Sequence, residues 1–191
     1  MGWNDWIRTV EIAPSLTAAD PAAVVGQVEM LLRSGCRIFH IDDHLDLLER
    51  IAQVVHRYDG IVDVRLSDAE SVAGAIALGA DSVTVVTVTS AVVQAVRAGE
   101  CQLGVVLAAG AAPDVDLVSI DVDDSQGSVD RVRELASTLP SRVCVQVVGD
   151  LAHDSVRPFY DAGATVIVVG RSIFGREDLP REYRRLVQAL A

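Results

Sequence analysis

Eight short β-branched runs punctuate this chain and alternate with longer amphipathic stretches. The runs occupy 10–13, 37–41, 61–66, 82–86, 103–107, 117–122, 142–147 and 165–169. Nearly all are apolar at both odd and even positions, the pattern of strands buried on both faces of a parallel sheet. Between them, 21–34 carries Val24, Val28, Leu31 and Leu32 at helical spacing, and 45–58 carries Leu47, Leu48, Ile51, Val54 and Val55. Helical stretches at 68–78, 90–98, 129–139, 155–162 and 180–190 complete the series. Strict alternation predicts an α/β fold, and eight strands point to a closed (β/α)8 TIM barrel. The competing open, doubly wound sheet lacks support, because no Gly-x-Gly-x-x-Gly follows a strand.

The chain has 191 residues, half of them apolar. That suits a single domain over 1–191 but is short against the roughly 250 residues typical of such barrels. A compact barrel with trimmed βα loops is therefore expected. Residues 108–116 leave no room for a helix, which predicts a bare loop between strands five and six. Asp20 before Pro21 reads as a helix N-cap with Pro at the first helical position. Gly35, Gly79 and Gly163 read as left-handed helix terminators.

Charge narrows the function. The formal net charge is −11, with 27 acids against 16 bases. Every base is Arg, since the sequence contains no Lys. Such a surface repels nucleic acid and anionic membranes, and the missing lysine excludes Schiff-base chemistry. Cys36, Cys101 and Cys144 form no C-x-x-C pair and read as free thiols of a reducing compartment. Residues 1–10 lack the apolar core of a signal peptide, and no run reaches the ~18 apolar residues of a membrane span. A cytoplasmic location is the expectation. Trp3 and Trp6 suggest a plug for the barrel's bottom or a homodimer contact, and His56 and His153 read as surface helix residues.

Several segments resemble ribulose-phosphate 3-epimerases. Ile12-Ala13-Pro14-Ser15-Leu16 is similar to the family's first strand, and His40-Ile41-Asp42 to its His-x-Asp motif on strand two. Gly79-Ala80-Asp81 leads into strand four as in the family. Val145-Gln146-Val147-Val148-Gly149 resembles its strand-seven segment, and 169–175 its closing Gly-Ser-x-Ile-Phe-Gly phosphate loop. The resemblance runs in order along nearly the whole chain. It implies a divalent metal held by two His and two Asp, with two of the Asp serving as acid and base. Here His40 and Asp42 match, whereas Arg65 stands at the strand-three His position and Val148 at the strand-seven Asp position. The long segment after strand two and the lid after strand six are also replaced by short connections.

These departures define the candidate site. Asp42, His40, Arg65 and Asp121 are the candidate catalytic residues. Arg65 is either an electrophile for an oxyanion or half of a buried ion pair. Asp121 is either a second acid–base carboxylate or the partner of Arg65. Ser15, Gly149, Gly170, Arg171 and Ser172 are candidate substrate-binding residues, with a phosphate cradle at a short helix N-terminus as one reading and tight turns as the other. Asp150 takes the place of a family glycine, so Arg171 either binds phosphate or pairs with Asp150. No cofactor is expected, but His40, Asp42 and His44 at i, i+2 and i+4 form an alternative three-ligand metal set. The resemblance and its departures imply a repurposed barrel. It would run isomerase-, epimerase- or lyase-type proton transfer on a small sugar-like substrate, with or without a phosphate. The alternative is a catalytically silent binding or scaffold subunit.

Overall fold

The computed structural model describes residues 11–107 and 114–191. Eight strands alternate with helices: β1 (Glu11–Pro14), α1 (Val24–Arg33), β2 (Ile38–Asp42), α2 (Leu45–His56), β3 (Ile61–Leu66), α3 (Val72–Ala77), β4 (Ser82–Val85), α4 (Ser90–Ala98) and β5 (Gln102–Val106). There follow β6 (Leu117–Asp121), α5 (Gln126–Thr138), β7 (Cys144–Val148), α6 (Val156–Asp161), β8 (Val166–Val169), α7 (Arg171–Phe174) and α8 (Leu179–Ala189). All ladders are parallel, in the order β1-β8-β7-β6-β5-β4-β3-β2. A parallel bridge between Ser15 and His40 brings the two outer strands together and nearly closes the barrel.

Two apolar clusters explain why the strands are apolar at both parities. The larger joins outward residues such as Phe39, Ile41, Val64, Val83 and Ile167 to the helices' inner faces. The smaller, Ala13, Ile38, Ile61, Leu117, Cys144, Val166 and Val168, lies on the opposite parity and faces the lumen. The barrel is thus a packed core rather than a pore.

Element boundaries shift where local hydrogen bonds win. Pro21 sits in a turn before α1, because the Asp20 carboxylate accepts from the Ala22 N–H (2.9 Å) and caps that turn instead of the helix. The stretch 68–78 splits into a 3-10 turn, Ala69–Ser71, capped by Asp68, and then α3. Helix α5 starts at Gln126, three residues before the apolar periodicity does, because the Ser125 hydroxyl accepts from the Ser128 N–H and sets the cap. Gly35, Gly79 and Gly163 have φ of 97°, 102° and 104°, the left-handed geometry expected of them. Among the described residues, no helix lies between β5 and β6. The expected bare loop falls largely on 108–113, which lie outside the described residues, as do Trp3 and Trp6.

Candidate active site at the barrel mouth

Alternation fixes which side chains face inward. The β2–β3 register pairs His40 with Asp63 and Asp42 with Arg65, so these four share the lumen side of adjacent strands. Successive inward residues climb toward the C-terminal ends of the strands, where barrels of this kind carry their active sites. The lumen below that mouth is polar: His40, Asp63, Ser82, Thr84, Ser119 and Gln146 are all fully buried.

A charge chain rises through this layer. Asp63 Oδ2 accepts from His40 Nδ1 and from Gln146 Nε2, each at 2.7 Å. His40 Nε2 lies 3.3 Å from Asp42 Oδ1, and Thr17 Oγ1 donates to Asp42 Oδ2 at 3.3 Å. Burial by itself would push the His40 imidazole down. Its hydrogen bonds to Asp42 and Asp63, and their charges, outweigh that and raise it to about 9. Burial opposes ionisation of Asp42 as well, but His40, Arg65 and Thr17 together hold its carboxyl below the usual range. At neutral pH the His40 ring is therefore positively charged, and of the three residues only Asp42 reaches solvent, at 37% side-chain exposure.

Arg65 and Asp121 meet across the mouth. Two parallel hydrogen bonds join them, Nη1 to Oδ1 at 2.5 Å and Nη2 to Oδ2 at 2.9 Å. The sequence left two roles open for each residue, and the geometry makes them a bidentate pair. Asp121 remains 59% exposed and Arg65 22% exposed, so the pair is a rim contact that solvent reaches. Arg65 does not hydrogen-bond Asp42, its register neighbour, but its charge acts on it.

Also at the mouth, a cavity of about 410 Å³ is lined by Ser15, Thr17, Asp42, Gly149, Gly170 and Arg171. Arg171 is clamped on Asp150 through two hydrogen bonds, one of them Nε to Oδ1 at 3.0 Å. Ser172 does not point its hydroxyl at this cavity as a free donor; it donates to the Leu151 carbonyl. Gly170 caps the four-residue helix α7. Gly149 is demanded by packing: a Cβ there would lie 2.5 Å from the Val122 carbonyl oxygen. Gly149→Ala is accordingly expected to destabilise the protein by about 1–3 kcal/mol in urea denaturation. A larger cavity, about 500 Å³, lies beside the mouth, walled by Leu16, Leu66, Asp43, His44, Asp46 and Arg50. Thr17 borders both cavities.

The metal set suggested by the spacing of His40, Asp42 and His44 does not form. Asp43 takes φ of 49°, which breaks the strand alternation and turns His44 onto the N-terminus of α2. Nor do the residues fit the four-ligand site that the epimerase resemblance implies. Both His40 nitrogens lie against carboxylates, Nδ1 on Asp63 and Nε2 toward Asp42. Arg65 brings a positive charge, and Val148 has no donor atom. Among the described residues no group of three or more His, Cys, Asp or Glu is placed to hold an ion.

Some site residues escaped the sequence reading. Asp63, Gln146 and Thr17 were not singled out, yet they orient the ring and the carboxylate. The available signal was polar residues at alternate positions of otherwise apolar runs. His153, expected on a surface helix, lies instead in a turn and is partly buried, its Nε2 3.1 Å from Glu182 without hydrogen-bond geometry. His56 is on the surface as expected, 2.9 Å from Asp81.

No family model matches this chain, and no curated protein matches it in sequence. Solved structures do match in shape. Orotidine 5'-phosphate decarboxylase from Pyrococcus horikoshii OT3 superposes with a TM-score of 0.76 at 15% identity, covering 94% of this chain and 98% of that one. KGPDC from Streptococcus mutans gives 0.75 at 14%, covering 96% and 98%. A native KDPGal structure gives 0.74 at 14%, covering 99% and 97%. No helix among the described residues is long and apolar enough to cross a membrane. At these identities the likeness is one of architecture, and it agrees with the strand order: the chain is a (β/α)8 barrel.

Proposed function

We propose that this barrel catalyses proton transfer on a small polyhydroxylated carbonyl substrate, with Asp42 as the base. One observation carries the reading. Asp42 stands half-exposed in the mouth, fixed by His40, whose other nitrogen is anchored on a fully buried carboxylate. A positioned base held by an oriented second group is the usual construction of a proton-transfer site. Perturbed, charge-coupled groups in a cleft support the same reading.

The chemistry follows from the side chains. Asp42 takes a proton from the carbon beside the carbonyl. The developing oxyanion draws Arg65 away from Asp121, replacing one anionic partner with another. Asp42 then returns the proton. Val148 leaves no second base on β7, so the proton returns to the face from which it left. Solvent exchange or isomerisation on one face is expected, and two-base inversion is not. A phosphate on the substrate would compete with Asp150 for Arg171, and the orotidine 5'-phosphate decarboxylase that shares the fold is named for a phosphorylated substrate. The reaction needs no cofactor, and the soluble small molecule is the partner.

The test is solvent deuterium entering ribulose 5-phosphate and related pentulose 5-phosphates, followed by proton NMR. The wild type is expected to exchange one proton without epimerising the carbon. Asp42→Asn is expected to lower the exchange rate by at least about 100-fold, the weight of one general base. No exchange across the series overturns the proposal. It would favour the second reading, a silent binding subunit, to which the doubly bonded Arg65–Asp121 pair lends support.

A further inference from the structure

Below the mouth, five buried polar atoms have no hydrogen-bond partner among the described residues: Asp63 Oδ1, Ser82 Oγ, Thr84 Oγ1, Ser119 Oγ and Gln146 Oε1. Their residues are fully buried. They are not scattered. They come from β3, β4, β6 and β7, on the lumen parity fixed by the registers Asp63↔Ser82, Arg65↔Thr84 and Ser119↔Gln146. Between them, β5 contributes Gly104, which pairs with Thr84 and has no side chain. A Cβ at Gly104 would lie 2.3 Å from Thr84 Oγ1. The Thr84 hydroxyl therefore points into the space that Gly104 leaves open.

An orphaned carboxylate oxygen and three orphaned hydroxyls in one patch are too costly to leave dry. Each unpartnered buried group costs roughly 1–3 kcal/mol, and native interiors satisfy nearly all such groups with protein or ordered water. A buried water needs two to four polar partners, and this patch offers five. Asp63 Oδ2 is already saturated by His40 and Gln146, so donors for Oδ1 must come from elsewhere. None of the three hydroxyls supplies such a donor directly.

We infer that the lumen beside Gly104 is a built water site, in which ordered water bridges Asp63 Oδ1 to the hydroxyls of Ser82, Thr84 and Ser119 and to the Gln146 carbonyl. This water completes the solvation of Asp63, the carboxylate on which His40 is anchored. Ser82, Thr84, Ser119 and Gln146 are then positioning residues for the His40 ring. The site would exist whether or not the barrel catalyses proton transfer, so its test is independent of turnover.

The sign of a stability change decides the matter. Thr84→Val is nearly isosteric, and Ser119→Ala only removes an oxygen. In a dry lumen either change deletes an unpaired polar group and raises the melting temperature. In a hydrated lumen either takes a partner from the water and from Asp63, and the melting temperature falls by about 3 °C. We expect the fall in both variants, and a matching loss of electron density for water in their crystals relative to the wild type. A rise in both variants overturns the proposal. So does a wild-type crystal soaked in rubidium chloride that shows an anomalous peak at Asp63 Oδ1, because an all-oxygen cage of this kind would then hold a monovalent cation instead.

Discussion

His40→Leu is expected to destabilise the fold by about 3–5 kcal/mol, the cost of leaving one member of a buried ion pair without its partner. The size follows from where His40 sits. Its ring is fully buried, and Asp63, also fully buried, accepts a 2.7 Å hydrogen bond from it. Leucine fills the volume but supplies no donor, so Asp63 must either stay charged in an apolar setting or take up a proton. The double variant His40→Leu/Asp63→Asn removes both charges, and the new amide oxygen on β3 can still accept from Gln146. It is expected to recover a large part of the loss, since replacing a whole buried pair is often close to neutral. Urea titration of the two proteins measures both terms. A single variant within about 1 kcal/mol of wild type would mean that the ring and the carboxylate are not a charged pair.

Stability is expected to fall as the solution becomes alkaline. His40 titrates at about 9 in the fold, against an ordinary value of 6.5. The folded protein therefore binds this proton more tightly than the unfolded chain does. The stabilisation is complete below about 6.5, shrinks above it, and is gone once the pH has passed through about 9. The full span is worth on the order of 3 kcal/mol. Asp42 contributes with the opposite sign: its carboxyl is held below the ordinary range, so its share is present above that range and is lost on acidification. Denaturant midpoints between about pH 6 and 10 read the His40 effect directly. In His40→Leu the slope between about pH 6.5 and 9 should be absent, whereas a slope above about pH 9 should remain, because burial raises the Cys101 and Cys144 thiols from 9.0 to about 12 and about 11.

The barrel was legible because its signal is cooperative over the whole chain. Eight apolar runs in alternation with amphipathic stretches admit few topologies, and each glycine terminator marked a helix end where left-handed backbone is needed. The boundaries were less legible, because capping depends on single side chains. Asp20 caps a turn and not the helix that its Asp-Pro motif suggests, and Ser125 sets an end that periodicity misplaces. At the site, strand parity alone was enough to bring His40, Asp42, Arg65 and Asp121 to one mouth. It could not choose a partner for Arg65. Asp42 is its register neighbour on β2, and the bidentate geometry to Asp121 across the barrel depends on side-chain reach that no spacing encodes. His44 misled the parity rule because one positive φ, at Asp43, ends the alternation. Asp63 is a polar residue in a mostly apolar strand, and its role comes from the His40 ring that it anchors.

The charge on the His40 ring is the hinge of both the stability and the chemistry of this barrel. Nitrogen-15 NMR of histidine-labelled protein, followed across pH, measures it directly. The expected result is a His40 ring with both nitrogens protonated at neutral pH and a midpoint of about 9. A fully buried ring that is already neutral at about pH 7, titrating near or below its ordinary value of 6.5, would contradict the imidazolium and the ionised base it holds in the mouth.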